Sequence, residues 1–297
     1  MSTENFFPLT ETNNPLTTDI DTRTTREMLE IINAQDQCVI DAVAAELDSI
    51  TRAVDEIFAR MARGGRLIYC GAGTSGRLGV VDASEMPPTF SLPHGLVIGL
   101  MAGGEQAMFR AVEGAEDKSE WGRDDIARLN VNELDSVIGI AASGRTPYAI
   151  GALQEANARG ALTISFACAR PAPIHDAAEI NIAPLTGPEV IEGSTRLKAG
   201  TATKLVLNMI STIVMIKLGK TYGNLMVDLI PSNQKLRERA RRIVERATSL
   251  SAHDAQMLLD QCGDVKTAIV AHHARLSPRD ARERLQRAGG SIRRALE

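Results

Sequence analysis

Five short runs rich in aliphatic residues alternate with glycine-rich turns and helix-like segments, and this alternation limits the possible fold more than any other feature of the chain. The runs are Arg66–Cys70, Gly95–Met101, Ser136–Ala141, Leu162–Ala167 and Ile180–Ile182. The segments between them, such as Glu105–Glu113 and Tyr148–Arg159, carry apolar residues at helical spacing. Because strands alternating with helices form parallel βαβ units, we expect an α/β domain with a five-stranded, doubly wound parallel sheet over residues 57–225.

Helical patterns flank this region on both sides. Residues 1–20 look irregular, and the apolar spacing then predicts one helix from Thr24 or Thr25 to about Asn33 and a second from about Gln35 to Arg63. We therefore expect an N-terminal arm with helices over residues 1–56.

The C-terminal region has a different composition from residue 234 onward. A charge-rich helix is predicted at Lys235–Arg246, and its interleaved glutamates favour a solvated face. Three shorter helices are predicted at Ser251–Gln261, Asp264–Arg275 and Ser277–Ala288, and Pro278 occupies a first-turn position. Residues 234–297 are therefore expected to form a small helical domain.

Composition excludes several classes of function. The 297 residues include 33 basic and 37 acidic side chains, a net charge of −4, and only 3% aromatics, so we expect neither a nucleic-acid nor a membrane partner. The four cysteines and five histidines show no metal-ligand spacing, so we expect no metal site. With no apolar leader segment, a cytoplasmic location is expected, and the apolar run Leu205–Leu218 is interpreted as a buried helix.

A glycine-rich loop, Gly71–Gly76, follows the first predicted strand and opens a helix, which is typical of an anion site. Its pattern, G-x-G-x-x-G, also occurs in dinucleotide-binding folds, which place an acidic residue at the end of the second strand. Here that strand ends at Gly99–Gly104 without an acid. The hydroxyls of Thr74 and Ser75 favour a phosphate ligand over NAD or FAD.

A second loop with similar chemistry, Ala142–Pro147, follows the third predicted strand. Ligands of open α/β sheets bind at the carboxyl ends of the strands, where the strand order reverses. Ser143 and Thr146 are therefore expected to converge with the first loop on one phosphate. Ser143 is also a candidate helix N-cap, a role compatible with ligand binding.

A third segment, Gly187–Lys204, resembles the signature shared by N-acetylmuramic acid 6-phosphate etherases and the glucokinase regulatory protein. The two hydroxyl loops resemble the phosphosugar loops of the sugar isomerase (SIS) fold. The stretches Asp82–Thr89 and Glu113–Asp117 resemble the etherases specifically, as do Thr10-Glu11, Ile20-Asp21 and Gly223–Asp228.

The resemblance implies an SIS fold that binds a small phosphosugar. The side chains expected to bind it are Thr74, Ser75, Ser143, Arg145, Thr146, Ser194 and Lys198. Considered alone, Lys198, Lys204 and Arg196 are equally well explained as surface residues of a helix or as charges that neutralise a phosphate.

Two glutamates are candidate catalytic residues. Glu85 precedes Pro87-Pro88, where we expect the chain to leave its helix, and Glu116 follows Gly114, expected to end another helix, so both are expected in loops. By themselves such residues are ordinary solvated carboxylates. The resemblance implies that Glu85 and Glu116 form the acid–base pair, in a partly buried site where two carboxyls hold different protonation states.

The implied activity is that of a carbon–oxygen lyase. It would cleave the lactyl ether of N-acetylmuramic acid 6-phosphate by elimination and water addition, with no cofactor, in cell-wall sugar recycling. Two alternatives remain open at this point, a non-catalytic sugar-phosphate sensor and an aldose–ketose phosphosugar isomerase.

Apolar helical patterns over residues 35–63 and Lys198–Leu218 also predict a homodimer.

Overall fold

The computed structural model describes residues 8–229 and 234–297. Five strands form a fully parallel sheet in the order β2-β1-β3-β4-β5, which confirms the predicted sheet. The strands are β1 (Leu67–Gly71), β2 (Val97–Met101), β3 (Ser136–Ile140), β4 (Leu162–Phe166) and β5 (Ile180–Ile182). Every residue of β1, β3 and β4 is buried, as expected for a sheet covered on both faces.

Two helices precede the first strand of this region, and each of the other four follows a strand. They are α1 (Thr25–Ala44), α2 (Leu47–Met61), α3 (Gly73–Phe90), α4 (Ser119–Arg128), α5 (Pro147–Ala158) and α6 (Lys198–Lys217). The segment predicted as helix Glu105–Glu113 is only a short 3₁₀ turn, Glu105–Met108.

Strand β2, which follows β1 in the chain, pairs with one edge of β1, and β3 pairs with the other edge. The strand order therefore reverses between β1 and β3, and the loops that follow these two strands flank the crevice at their carboxyl ends. This is the position where open α/β sheets bind ligands.

The break between the first two helices differs from the prediction. Thr24 and Glu27 form a reciprocal N-terminal cap, as expected, but α1 continues to Ala44 and the chain breaks at Ala45-Glu46. The buried Glu46 carboxylate accepts a hydrogen bond from the backbone N–H of Ala183 at 3.1 Å. This contact with a segment 137 residues away explains why local spacing missed the break.

The prediction that the chain leaves its helix before Pro87 is also wrong, because α3 continues through both prolines to Phe90. Proline has no N–H, so the carbonyls of Ala83 and Ser84 receive no hydrogen bond four residues along. The two prolines lie in the last turn, where this loss affects only the end of the helix.

The C-terminal region contains α7 (Gln234–Thr248), α8 (Ala252–Cys262), α9 (Val265–Ala274), α10 (Pro278–Arg287) and α11 (Ile292–Leu296). The side chains of Ser251, Asp264 and Ser277 cap α8, α9 and α10, which confirms the three predicted starts. The hairpin of β6 (Thr221–Tyr222) and β7 (Leu225–Met226) was not predicted, and neither was α11.

The described residues form two compact units. The first contains the residues up to Ser84 together with Gly95–Ser211, and the second contains Glu85–His94 and Thr212–Glu297. The N-terminal helices thus belong to the same unit as the sheet, whereas the sequence suggested a separate segment over residues 1–56. Residues 1–7 of that expected segment lie outside the described part of the chain.

Helix α6 is long and apolar enough in composition to resemble a membrane span. However, 56% of its most apolar window is buried inside the fold, and it carries Asn208 and Ser211 in hydrogen bonds. We therefore interpret α6 as a core helix, as the sequence suggested.

Candidate functional site

A cavity of about 540 Å³ lies where the loops after β1 and β3 meet. Six residues predicted to act in the site line it, namely Thr74, Ser75, Glu116, Ser143, Arg145 and Thr146. Glu11, Asp117 and Thr195 line it as well, and they were not among the predicted site residues. The structure therefore brings both hydroxyl loops and one predicted catalytic carboxylate to a single cavity.

The first loop is shaped by close backbone contact between Gly71 and Gly76. A Cβ atom added to Gly76 would lie 2.5 Å from the Gly71 carbonyl oxygen, and one added to Gly71 would lie 2.9 Å from the Gly76 nitrogen. Only glycine permits this approach, and it places the start of α3 directly at the end of β1. The N–H groups of the first helical turn have no intrahelical acceptor, so they are available to an anion beside Thr74 and Ser75.

The second loop reaches the same cavity from β3. Gly144 has a positive φ of 71°, and a Cβ atom there would lie 2.4 Å from the Cβ atom of Ala172. Thr146 is the N-cap of α5, but its hydroxyl makes no capping hydrogen bond, and Pro147 occupies the first helical position. The Thr146 hydroxyl is therefore free to face a ligand.

Glu116 is held at the cavity by its backbone. Its carbonyl accepts a hydrogen bond from the Tyr148 N–H at 3.0 Å, which fixes the 113–117 loop against the start of α5. The carboxylate is exposed and remains available for chemistry. As predicted, Glu116 lies in a loop, although Gly114 forms part of a turn and ends no helix.

Two glycines allow α4 to pack closely against α5. A Cβ atom on Gly122 of α4 would lie 2.0 Å from the Tyr148 carbonyl oxygen, and one on Gly151 of α5 would lie 2.2 Å from the Ser119 carbonyl oxygen. The helices thus touch backbone to backbone. This contact secures the loop of Glu116, which leads into α4 three residues later.

A smaller cavity of about 200 Å³ adjoins the first and shares Ala72, Gly73 and Glu116 with it. The guanidinium of Arg77 lies on its wall and donates to the carbonyls of Ala107 (2.8 Å) and Met108 (3.1 Å). These bonds tie the segment after β2 to α3. Glu116 thus stands at the boundary between the two cavities.

Glu85 is placed differently from the prediction. It lies inside α3, in the part of that helix that belongs to the second compact unit, and its side chain is exposed. Neither Glu85 nor Glu116 is buried within this chain, in contrast to the partly buried pair that we expected.

The N-terminus of α6 is occupied by the protein itself. Glu189 is fully buried, and its carboxylate accepts hydrogen bonds from the backbone N–H groups of Lys198 and Ala199, both at 2.9 Å. Burial raises the pKa of Glu189, against the opposing effect of these two donors and of the Lys198 charge. This capping role within the signature segment was not predicted.

Two predicted binding residues are not brought to the cavity wall. The side chain of Lys198 is buried, and its ammonium group donates to Gln35 Oε1 at 3.1 Å and lies 3.9 Å from Cys38 Sγ. Ser194 lies in the loop between two residues that line the cavity, Gly193 and Thr195, but is not itself part of the lining.

A buried carboxylate, Asp82, joins the elements beneath the first loop. It accepts hydrogen bonds from the Tyr69 hydroxyl (2.8 Å), the Asn208 amide (2.6 Å) and the Ser211 hydroxyl (3.1 Å). Burial raises the pKa of Asp82, although these donors and the nearby charge of Lys204 oppose the shift. The network connects β1, α3 and α6, so we assign Asp82 a structural role.

In the described residues, no group of three or more His, Cys, Asp or Glu side chains is arranged to hold a metal ion.

Comparison with curated proteins gives full-length matches. The N-acetylmuramic acid 6-phosphate etherase of Salmonella typhi is 52% identical over 290 residues, which covers 97% of this chain and 98% of the relative. The etherase of Salmonella typhimurium strain LT2 matches with the same identity and coverage. Residues 49–157 match the glucokinase regulatory protein N-terminal SIS domain, and residues 120–213 match the SIS domain.

Solved structures match the fold at low sequence identity. A phosphoheptose isomerase from Francisella tularensis aligns with a TM-score of 0.52 and 18% identity over 65% of this chain and 100% of its own. A phosphoheptose isomerase from Neisseria gonorrhoeae aligns with a TM-score of 0.50 and 16% identity over 64% of this chain and 98% of its own. These likenesses show a shared fold for the sheet region, and the SIS assignment comes from the family models.

Proposed function

The chain belongs to the N-acetylmuramic acid 6-phosphate etherase family, and from this premise we propose that it cleaves the D-lactyl ether of N-acetylmuramic acid 6-phosphate. The products are N-acetylglucosamine 6-phosphate and D-lactate. The observation that supports this function best is the joining of two hydroxyl loops, the open N-terminus of α3 and the carboxylate of Glu116 in one cavity.

The phosphate group binds at the two loops. Thr74, Ser75, Ser143 and Thr146 donate their hydroxyls, the N–H groups at the start of α3 donate from the backbone, and Arg145 supplies a positive charge. This arrangement anchors the C6 end of the sugar and leaves the opposite end of the cavity to the rest of the ring.

An ether is a poor leaving group, so the reaction proceeds by elimination and not by direct displacement. In the open-chain sugar the C1 aldehyde acidifies the C2 proton, and a base removes that proton. The electron pair forms a C2–C3 double bond while the C3–O bond breaks and lactate leaves with a proton from an acid. Water then adds to C3, its hydrogen going to the base and C2 regaining a proton, which gives the product aldehyde.

Glu116 is proposed as the base, including activation of the water, and Glu85 as the acid that protonates the departing lactate. The role of Glu116 is supported by its place on the cavity wall, and the role of Glu85 by the resemblance of Asp82–Thr89 to the etherase family. The aldehyde accepts the developing negative charge, so the chemistry requires no metal or organic cofactor.

The test is incubation of the purified protein with N-acetylmuramic acid 6-phosphate in ¹⁸O-labelled water. Elimination and addition place the label on C3 of the sugar and leave the released D-lactate unlabelled. Label in the lactate would contradict the route, and absence of D-lactate would contradict the activity. An isomerase would convert an unmodified phosphosugar without releasing lactate, and a sensor would bind sugar phosphate without turnover.

The role of Glu85 can be tested in the same assay. Glu85→Gln removes the acid but leaves the helix intact, and we expect the rate of lactate release to fall by about 10²–10⁴-fold. A variant that retains the wild-type rate would exclude Glu85 from the chemistry.

The protein is further proposed to act in the cytoplasm as a homodimer. Leu29 and Ile40 on α1 are 60% and 59% exposed, and an apolar face of this kind is unusual on a monomer. A two-fold interface through the N-terminal helices would cover it. Light scattering should then give about twice 31.9 kDa, and a fully active monomer would contradict this.

A further inference from the structure

The cavity has an acidic residue that the proposed reaction does not use. Glu11 lies on its wall together with Gly193 and Thr195 of the signature segment. Among the described residues, the Glu11 carboxylate has no hydrogen-bond or ion-pair partner. The N-terminal arm thus contributes a free acceptor to the proposed phosphosugar site.

The N-terminal arm is anchored to the rest of the fold by buried polar residues. Thr10, Asn14 and Thr17 are buried, although all three are polar. The Thr17 hydroxyl donates to the Val190 carbonyl at 2.8 Å, and the Asn14 amide donates to the Pro188 carbonyl at 3.3 Å. The arm is therefore fastened to the same segment that carries Gly193 and Thr195.

Further contacts fix the position of the Glu11 side chain. Glu11 ends a short 3₁₀ turn, Leu9–Glu11, which the hydroxyl of Thr12 closes by donating to the Leu9 carbonyl at 2.7 Å. The carboxylate packs directly against Gly193, so that a Cβ atom there would lie 3.2 Å from Glu11 Oε2. The absence of a side chain at position 193 leaves space for the carboxylate beside the cavity.

A carboxylate accepts hydrogen bonds and repels anions. The phosphate of a ligand should therefore bind at the hydroxyl loops and away from Glu11. Glu11 can instead accept a hydrogen bond from the part of the ligand that extends away from these loops. We infer that Glu11 is a specificity-determining residue that accepts a hydrogen bond from a hydroxyl or acetamido N–H of the sugar. This inference rests on the proposed phosphosugar function of the cavity.

The inference predicts different effects of one substitution on the binding of two ligands. Glu11→Ala should weaken the binding of N-acetylglucosamine 6-phosphate by about 10-fold, because one charge-assisted hydrogen bond is lost. Inorganic phosphate should bind equally well or slightly more tightly, because a negative charge has been removed near the site. Titration calorimetry with each ligand measures both effects.

Glu192→Ala is the charge-matched control. Glu192 is an exposed carboxylate on the same segment that does not line the cavity. It accepts a long hydrogen bond (3.4 Å) from the amide of Asn13 in the arm, so its removal controls both for the lost charge and for a loosened arm. Its removal should change the affinity for neither ligand, whereas equal changes for the two ligands in Glu11→Ala would overturn the inference. So would an unchanged affinity for the sugar phosphate.

Glu11→Gln decides the question if the alanine variant fails to fold. It keeps the size and one acceptor oxygen, so it should bind the sugar phosphate with intermediate affinity. With the etherase substrate, KM should rise more than kcat falls in both variants. If the wild type bound the sugar phosphate and Glu11→Ala weakened that binding, but no D-lactate were released, the proposed activity would fail while the role of Glu11 stood.

Discussion

Two glutamates of this protein are tied to helix N-termini in opposite ways. Glu116 contacts the start of α5 through its backbone carbonyl, and its carboxylate remains exposed at the cavity. Glu189 contacts the start of α6 through its carboxylate, which is buried and accepts two backbone hydrogen bonds. The first arrangement leaves a carboxylate available for chemistry, and the second uses the carboxylate oxygens to cap a helix.

The difference also distinguishes the N-termini of α3, α5 and α6. A helix N-terminus favours an anion because of its unpaired N–H groups and the helix dipole. The protein fills the N-terminus of α6 with the carboxylate of Glu189, and the start of α5 carries Pro147, which has no N–H, and Tyr148, whose N–H is bonded to Glu116. The N-terminus of α3 remains open at the cavity, so an external phosphate is directed to α3.

Replacing Glu116 should have the largest effect. Glu116→Gln removes the proposed base without disturbing the carbonyl that binds Tyr148, so lactate release should slow by about 10²–10⁴-fold at an unchanged melting temperature. Glu120→Gln, an exposed neighbour at the start of α4, is the control and should retain the wild-type rate. A comparable rate loss in both variants would mean that Glu116 has no special role.

Replacing Glu189 should lower the stability of the fold and leave the activity nearly unchanged. In Glu189→Gln the amide places a donor against one of the two backbone N–H groups, and we expect the free energy of unfolding to fall by about 2 kcal/mol. Turnover per folded molecule should stay close to wild type. Urea denaturation and the lactate assay on the same samples separate the two effects, and a stable but inactive variant would reverse the comparison.

Ser75→Ala tests whether the N-terminus of α3 is the open one. Loss of one hydroxyl donor should weaken the binding of N-acetylglucosamine 6-phosphate by about 5-fold, an effect of roughly 1 kcal/mol. The control is Ser84→Ala on the same helix, where the hydroxyl is exposed and donates to the Val81 carbonyl. Equal affinities in wild type and Ser75→Ala would place the phosphate elsewhere.

The smallest expected effect is on the pH dependence of the free energy of unfolding. Burial raises the pKa of Glu189 above its ordinary value of 4.5, so the folded state holds this proton more strongly than the unfolded state. The stabilisation that results is complete below about pH 4.5 and is lost as the pH rises through the raised pKa. The stability difference between wild type and Glu189→Gln should therefore be largest in acid, and a difference independent of pH would show that the pKa is not raised.

Local sequence patterns were sufficient for much of the fold. The five strands follow from their apolar runs, and the starts of α8 and α10 follow from a serine with an aspartate three residues later. The two hydroxyl loops of the site were predicted for the same reason, since each consists of glycine and hydroxyl residues directly after a strand.

The features that were missed depend on contacts between distant residues. The helix break at Glu46 is set by Ala183, and the placement of Glu11 depends on the arm bonding to residues more than 170 positions away. The capping role of Glu189 lies within a recognised motif, but a glutamate nine residues before a helix start carries no local signal. Lys198 resembled a phosphate ligand because its burial against α1 is not visible in the sequence.

The backbone contact between α4 and α5 at Gly122 and Gly151 has a consequence for thermal motion. Two helices that touch without intervening side chains have little freedom to slide or rotate, so they fluctuate as one body. The loop that carries Glu116 and the loop that carries Thr146 are attached to this body and move with it. Their separation should therefore vary little with temperature, and the protein loses little conformational entropy when a substrate is held between them.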